Sequence, residues 1–171
     1  RDPEGNVYFA AKGDYGCEDS GICRIDIHTE QMHRWIFPDR MFGALTYLPQ
    51  LGQVLVAERR KGDDWLRFFF VDAASGQEVV SEPAIRDHGD IIVWLHDGGD
   101  WVYGLHDYRA TLFAYSLKAR RIVKEIKELG FGHHCKESLL FGPDDRIWGV
   151  THWLWYFGSR YWSYYVIDRH R

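Results

Sequence analysis

The chain has 171 residues, of which 46% are hydrophobic and 16% aromatic, so one domain with a packed core is expected. Its net charge of −4 comes from 21 basic and 25 acidic residues that are mixed along the chain, without the basic stripe that nucleic-acid binding requires. No apolar run reaches the roughly 20 residues of a transmembrane helix, so neither nucleic acid nor a membrane span is predicted.

A turn followed by a strand occurs four times along the chain. The four copies are centred on Val7, Val54, Val102 and Ile147, which follow one another at intervals of 45 to 48 residues. A period of this length filled with strands is typical of a β-propeller, in which each repeat is one four-stranded blade. The sequence therefore predicts an all-β fold, with a single propeller segment over 1–171 and blades near 1–40, 41–86, 87–131 and 132–171.

The two central repeats show the predicted strands in full. The strands expected in the second repeat are 42–47, 53–58, 65–72 and 77–80, and those in the third are 91–95, 101–106, 110–116 and 121–126. Gly, Pro, Asp and Ser, which favour tight reversals, stand between them. The charged stretch 117–129 could form a helix, but Ile122, Val123 and Ile126 and its place in the repeat favour a strand.

The outer repeats lack one strand each. The first begins at its second strand, and the fourth stops at Asp168, where its third strand finishes. Because an unclosed run of blades leaves two aromatic faces bare, we expect a segment of a larger ring of six to eight blades. Closure by self-association and a true four-bladed ring are the alternatives.

The third strands of the repeats carry a resemblance to known propellers. The segments 22–31, 70–77 and 112–120 each run from a strand into a polar turn, two of them through an Asp. They resemble the blades of quinoprotein-like and YVTN-type propellers. This resemblance implies a fold and no particular activity, because those superfamilies include dehydrogenases, hydrolases, lyases and non-catalytic scaffolds.

Chemically rich loops are expected at one end of the blades. In an antiparallel meander, the loop before the first strand and the loop between the second and third strands lie at the same end. Five of the nine histidines fall in or beside these loops: His88, His106, His133, His134 and His152. They could cap strands and turns, bind a metal, or transfer protons near neutral pH.

A metal site is one candidate for this end. His133, Cys135 and Glu137 alternate along one strand and are compatible zinc ligands. The cofactor stays open, with zinc or calcium as the candidate ion. A calcium-dependent lactonase would need several inward-facing Asn, Asp and Glu residues, and asparagine occurs only at Asn6.

The segment 153–165 is unusually aromatic. Packing between blades accounts for much of it, but the segment also suits a sugar, because indole rings stack on the apolar face of a pyranose and a guanidinium pairs with its carboxylate. The candidate substrate-binding residues are Trp153, Trp155, Arg160 and Tyr161.

The residues of these loops predict that the propeller acts on an acidic polysaccharide, with β-elimination as the expected reaction. Elimination needs a base, an acid and a positive group at the uronate carboxylate. His88 and His106 would be the base and the neutralising group, Arg109 or Arg160 the carboxylate clamp, and Tyr108 the proton donor. The segment 87–107 resembles the paired-histidine blade of propeller polysaccharide lyases such as ulvan lyases. The alternative is a non-catalytic propeller that binds a protein or a glycan.

The pairing of the cysteines indicates which cellular compartment is expected. Cys17 and Cys23 flank one short loop and could close it as a disulfide, or remain an unbonded pair. A disulfide would imply an oxidising compartment, and a secreted or periplasmic location is the expectation. The expected partners are a glycan and either the remaining blades of the same chain or a second copy.

Overall fold

The computed structural model describes residues 1–11, 20–86, 91–106, 111–126, 136–154 and 160–168. These residues form antiparallel β-sheets joined by turns, and none of them belongs to a helix. No helix that could cross a membrane is therefore found among them. The chain divides into two compact units, Arg1–His88 and Gly89–Arg171.

The first unit is built from two consecutive meanders. Its strands are β1 (Asn6–Ala11), β2 (Gly21–Asp26), β3 (Met32–Ile36), β4 (Arg40–Leu48), β5 (Gln53–Arg60), β6 (Trp65–Asp72) and β7 (Glu78–Arg86). Strands β1 to β3 form one sheet and β4 to β7 the other. Within each sheet every strand pairs antiparallel with the next one along the chain.

The core of the first unit joins its two sheets through alternate residues of their strands. Phe42 and Phe69 stack with ring centroids 5.8 Å apart, and Phe37 packs edge-on against Phe69 at 5.0 Å. The buried cluster contains Tyr8, Ile22, Phe42, Val54, Val56, Phe69, Val71 and Ala73. The aromatic residues of these repeats thus serve mainly to pack one sheet against the other.

The second unit repeats this plan. Its strands are β8 (Ile91–His96), β9 (Trp101–His106), β10 (Thr111–Ser116), β11 (Arg121–Ile126), β12 (Lys136–Phe141), β13 (Ile147–Leu154) and β14 (Arg160–Ile167). Strands β8 to β11 form one meander and β12 to β14 another. The core between these two sheets is built around Tyr103, Leu105, Leu112, Ala114 and Ile147.

The turn that follows the third strand of a repeat is built in the same way three times. The last residue of the strand, which is Asp26, Asp72 or Ser116, accepts hydrogen bonds from backbone amides two or three positions later. The residue four positions after it, which is Glu30, Gly76 or Arg120, has a positive φ of 58°, 72° or 52°. The sequence repeat is therefore also a repeat of backbone geometry.

The carboxylate in the second of these turns makes stability depend on pH. The Ser75 hydroxyl, followed by the backbone amides of Ser75 and Ala74, donates hydrogen bonds that hold the pKa of Asp72 below its usual value despite some desolvation. Because this pKa is lower in the folded chain, the ionised carboxylate stabilises the fold above about pH 4, and the stabilisation is lost as the pH falls through the folded pKa.

We therefore expect the melting temperature of Asp72→Asn to lie below that of the wild type. This margin should be constant from about pH 8 to about pH 5 and should narrow at lower pH. Thermal denaturation followed by circular dichroism between about pH 8 and about pH 2.5 measures this margin. Ser75→Ala, which removes one of the donors, should show a weaker effect of the same sign. A margin that does not change with pH would rule out this role for the carboxylate.

Most predicted strands are confirmed. The charged stretch after residue 117 forms the strand β11 and not a helix. Several strands are longer than the prediction: β4 begins at Arg40 rather than at residue 42, β5 continues to Arg60 rather than ending at residue 58, and β7 continues to Arg86 rather than ending at residue 80. A bulge between Phe42 and Leu45 and two bulges in the pairing of β6 with β7 allow the extensions of β4 and β7.

The two three-stranded sheets each carry an apolar outer face. In the first unit this face presents Val7, Phe9, Met32 and Ile36, which are between 38% and 60% exposed. In the second unit Leu140, Trp148 and Val166 lie opposite one another in the strand register and are between 42% and 53% exposed. Contiguous apolar surface of this kind is typical of a packing or interaction surface.

Candidate functional site

The predicted loop-bearing end of the second unit is centred on His106. This histidine is the last residue of β9, and its register partners are Ile91, the first residue of β8, and Thr111, the first residue of β10. Three strand ends therefore meet at His106. The side chain is only 3% exposed, because it lies on the middle of these three strands.

The other three predicted catalytic residues lie outside the described residues. His88 falls in 87–90, which precedes β8, and Tyr108 and Arg109 fall in 107–110, which joins β9 to β10. The strand ends from which these segments leave are the ones that meet at His106. The strand pairing thus brings together the strand ends to which the segments of the predicted site are attached.

The predicted sugar-binding residues belong to the neighbouring sheet of the second unit. Trp153 of β13 lies opposite Tyr161 of β14, and Arg160 lies opposite Leu154. Trp155 lies outside the described residues. The backbone register therefore makes cross-strand neighbours of Trp153 and Tyr161 and places Arg160 next to them along β14.

The predicted metal ligands and the cysteine pair are described only in part. His133, Cys135 and Cys17 lie outside the described residues, and Glu137 takes its place in β12 opposite Thr151. Across the described ranges, no group of three His, Cys, Asp or Glu residues is arranged to hold a metal ion. Cys23 is a buried free thiol, and burial raises its pKa against the opposing charge of Arg34.

A buried ion-pair network in the first unit escaped the sequence prediction. The predicted strand ended at residue 58, but β5 continues to Arg60, so Glu58 lies inside it and is fully buried. Its carboxylate accepts hydrogen bonds from Arg60 Nε at 2.5 Å and from the Ser81 hydroxyl at 2.9 Å, and it lies 3.5 Å from Arg40 Nη1. Glu78 completes the network through its ion pair with Arg40 at 2.6 Å.

The network is structural in character. The hydrogen bond from Arg60 to Glu58 raises the pKa of the Arg60 guanidinium, so this guanidinium stays charged. The Arg40 guanidinium also lies over the ring of Phe69, 4.7 Å from the centroid. These contacts fasten the strands of the second sheet to one another and to the aromatic core.

A second feature that the sequence did not reveal is a cleft in the first unit, at the end of its sheets where the turns after β4 and β6 lie. It has a volume of about 200 Å³ and is lined by the side chains of Asp2, Glu4, Tyr8, Arg24 and Tyr47 and by residues of two turns. Tyr8 and Tyr47 stack with centroids 5.6 Å apart and ring planes 3° from parallel. The stack brings β1 and β4 together at the base of the cleft.

Asp2 organises the N-terminal side of this cleft. It accepts hydrogen bonds from the Asn6 backbone amide at 2.8 Å, the Asn6 side chain at 2.8 Å and the Tyr8 hydroxyl at 2.7 Å. Burial alone would raise the pKa of Asp2, but these hydrogen bonds outweigh it and the pKa is lowered. Burial and the bond to Asp2 raise the pKa of Tyr8. Asp2 is thus an anion and Tyr8 a neutral donor.

No protein-family model and no curated protein matches the chain.

The described residues thus hold two candidate ligand regions, one in each unit. In the second unit, the segments that contain His88, Tyr108 and Arg109 leave from the strand ends around His106. In the first unit, the cleft combines one guanidinium, two carboxylates and an aromatic wall. Both arrangements have the chemistry of polar ligand binding on a rigid scaffold.

Proposed function

We propose that the chain is a run of β-propeller blades of the quinoprotein-like or YVTN-like type. Consecutive meanders, sheets that pack through aromatic layers within each unit, and the recurring turn after the third strand all support this. An equivalent aromatic pair also recurs: Tyr8 stacks on Tyr47 in the first unit, and Tyr103 packs edge-on against Phe141 in the second.

The apolar outer faces of the two three-stranded sheets agree with this proposal. Blades bury each face against a neighbouring sheet, as the two sheets within each unit do. We propose that further blades, from the same chain or from a second copy, pack on these faces.

Within this scaffold, the proposed function is to bind an acidic polysaccharide at the loop-bearing end of the second unit. One observation carries the proposal: the register of His106 with Ile91 and Thr111 joins the strand ends from which the segments containing His88, Tyr108 and Arg109 leave. A uronate would be held by Arg109 or Arg160 and would stack on the aromatic residues of the segment 153–165.

Cleavage by β-elimination is the second candidate function, and the burial of His106 bears on it. A general base must come within hydrogen-bond reach of the proton that it removes. His106 is 3% exposed, so it is better placed to position the neighbouring loops than to contact a polymer. Elimination would then depend on His88, Tyr108 and Arg109, and non-catalytic binding is what the described geometry supports best.

Calorimetric titration of the 171-residue chain with a panel of uronic-acid polysaccharides tests this function. We expect binding that Arg109→Ala and Arg160→Ala each weaken about tenfold or more, because each removes a charge-assisted contact to the carboxylate. Arg121→Ala is the matched control, since Arg121 is exposed and begins β11 at the opposite end of the sheet. Absence of binding to every member of the panel would overturn the proposal.

The same mixtures separate a lyase from a binder when their ultraviolet absorbance is followed for the unsaturated product of elimination. Absorbance that grows with the wild type and is lost in Tyr108→Phe would establish the lyase. Binding without growth in absorbance would establish the non-catalytic module.

A further inference from the structure

The cleft in the first unit carries an inference that goes beyond the proposed function. We infer that the cleft lined by Asp2, Glu4, Tyr8, Arg24 and Tyr47 binds a neutral pyranose sugar. This site differs from the proposed polysaccharide site in its unit, in the end of the sheets at which it lies, and in the charge of its ligand. Either proposal can therefore be wrong without affecting the other.

Arg24 supplies hydrogen-bond donors to the cleft. Its Nη1 donates to the Ala73 carbonyl oxygen at 3.3 Å, and its guanidinium lies over the indole of Trp35 at 5.8 Å from the centroid. Within the described part of the chain this long bond is the one hydrogen bond that the guanidinium makes, and Nε is buried without a partner. A guanidinium carries five donors, so Arg24 is fixed in place and incompletely satisfied.

The two carboxylates supply acceptors and a negative field. Asp2 already accepts hydrogen bonds from Asn6 and Tyr8. Glu4 is exposed and has one weak contact, at 3.5 Å from the side-chain amide nitrogen of Asn6. Both carboxylates act on Tyr47, whose pKa is raised by burial first and by their charges second. The cleft thus combines donors on one side with acceptors on the other.

This mixture of charges selects the class of ligand. A ligand with a single charged group would meet a like charge within the same cleft, either at Arg24 or at Asp2 and Glu4. A sugar hydroxyl is neutral, and it both donates and accepts hydrogen bonds. Adjacent hydroxyls can therefore accept from Arg24 and donate to Glu4 at once, while the apolar face of the ring packs on Tyr47.

The second unit shows that the fold does not require this cleft. Tyr103 occupies the position of Tyr8, and its cross-strand partner is Ala114 where Tyr8 has Arg24. The corresponding space in the second unit, lined by Tyr103, Phe113, Ala114, Lys124 and aliphatic residues, is a mostly apolar gap of about 10 Å³. Arg24 is therefore an addition to a scaffold that packs without it.

Chemical-shift mapping of the isotopically labelled 171-residue chain tests the inference. The probes are the methyl glycosides of glucose, galactose and mannose, with glucuronate and lysine as charged comparisons. We expect at least one neutral glycoside to bind in the millimolar range or tighter and to shift the amides of Tyr8, Arg24 and Tyr47. Arg24→Ala and Glu4→Gln should each weaken it about tenfold, because each removes a hydrogen bond to a charged group.

Two controls keep these results interpretable. Arg146→Ala removes an exposed guanidinium from the second unit, where Arg146 pairs only with Asp144 within the described residues, and should leave affinity unchanged. Glu4→Gln keeps the shape of the side chain, so its effect does not depend on refolding of the cleft. Shifts at this cleft with lysine or glucuronate but with no neutral glycoside would overturn the sugar assignment. No shift with any probe would overturn the site itself.

Discussion

Replacing Glu58 with alanine is expected to lower the free energy of unfolding by about 3 to 5 kcal/mol. The Glu58 side chain is fully buried and neutralises the guanidinium groups of Arg40 and Arg60. Removing it leaves the positive charge of Arg40, whose side chain is only 17% exposed, next to the aromatic core with Glu78 as its remaining ion-pair partner. It also leaves the Ser81 hydroxyl without its acceptor.

Glu78→Ala provides the matched control for this change. Glu78 belongs to the same network, but its side chain is 38% exposed, so solvent replaces its contacts and the expected loss is about 1 kcal/mol or less. Urea denaturation of both variants, with comparable m-values, measures the two losses. Equal losses for Glu58→Ala and Glu78→Ala would contradict the central place given to the buried carboxylate.

Gly76→Ala is expected to lower the free energy of unfolding by about 3 kcal/mol, from backbone strain and overpacking combined. Gly76 has a φ of 72°, which costs any residue with a Cβ about 1 to 2 kcal/mol. A Cβ on Gly76 would also overlap the indole ring of Trp35. Trp35 packs against the core that joins the two sheets of the first unit, so the ring has little freedom to move away.

Gly62→Ala separates these two causes. Gly62 has a similar φ of 79°, but nothing lies within 4 Å of the position of its Cβ. The control should therefore lose only the backbone contribution of about 1 kcal/mol. Thermal and urea denaturation measure both losses, and a Gly76→Ala variant as stable as Gly62→Ala would show that Trp35 does not pack on this turn.

The all-β class and the antiparallel meanders were largely predictable because they rest on local signals. The strands are rich in apolar residues and are bounded by turn residues, and the fourfold spacing around Val7, Val54, Val102 and Ile147 exposes the repeat. The same logic assigned β11 correctly as a strand despite its charged residues. The recurring turn after the third strand was visible in its polar residues, although its positive φ at Glu30 and Arg120 was not.

The sites were less predictable because they depend on contacts between distant segments. Residue 58 was predicted as the end of a strand, and only the continuation of β5 to Arg60 and the approach of Arg40 and Ser81 reveal Glu58 as the centre of a buried network. Arg24 stands in a strand like any surface arginine. Its place in the cleft follows from the packing of the first sheet on the second, which brings Tyr47 and Ala73 to its side.

His106 illustrates the limit of a prediction based on loops. Its position at the end of a strand suggested an accessible catalytic group. The register instead places it on a middle strand, with β8 and β10 on either side, and the side chain is buried. The sequence placed His106 at the end of a strand, as observed, but did not reveal how deeply its side chain is buried.

A crystal structure of the 171-residue chain tests the propeller proposal most directly. The proposal predicts four sheets arranged around one axis, with β4, β8 and β12, the first strands of the second, third and fourth repeats, nearest to that axis. It also predicts that the two apolar outer faces are covered by another copy or by further blades of a longer chain. Two independent sandwiches without a common axis would contradict the proposal.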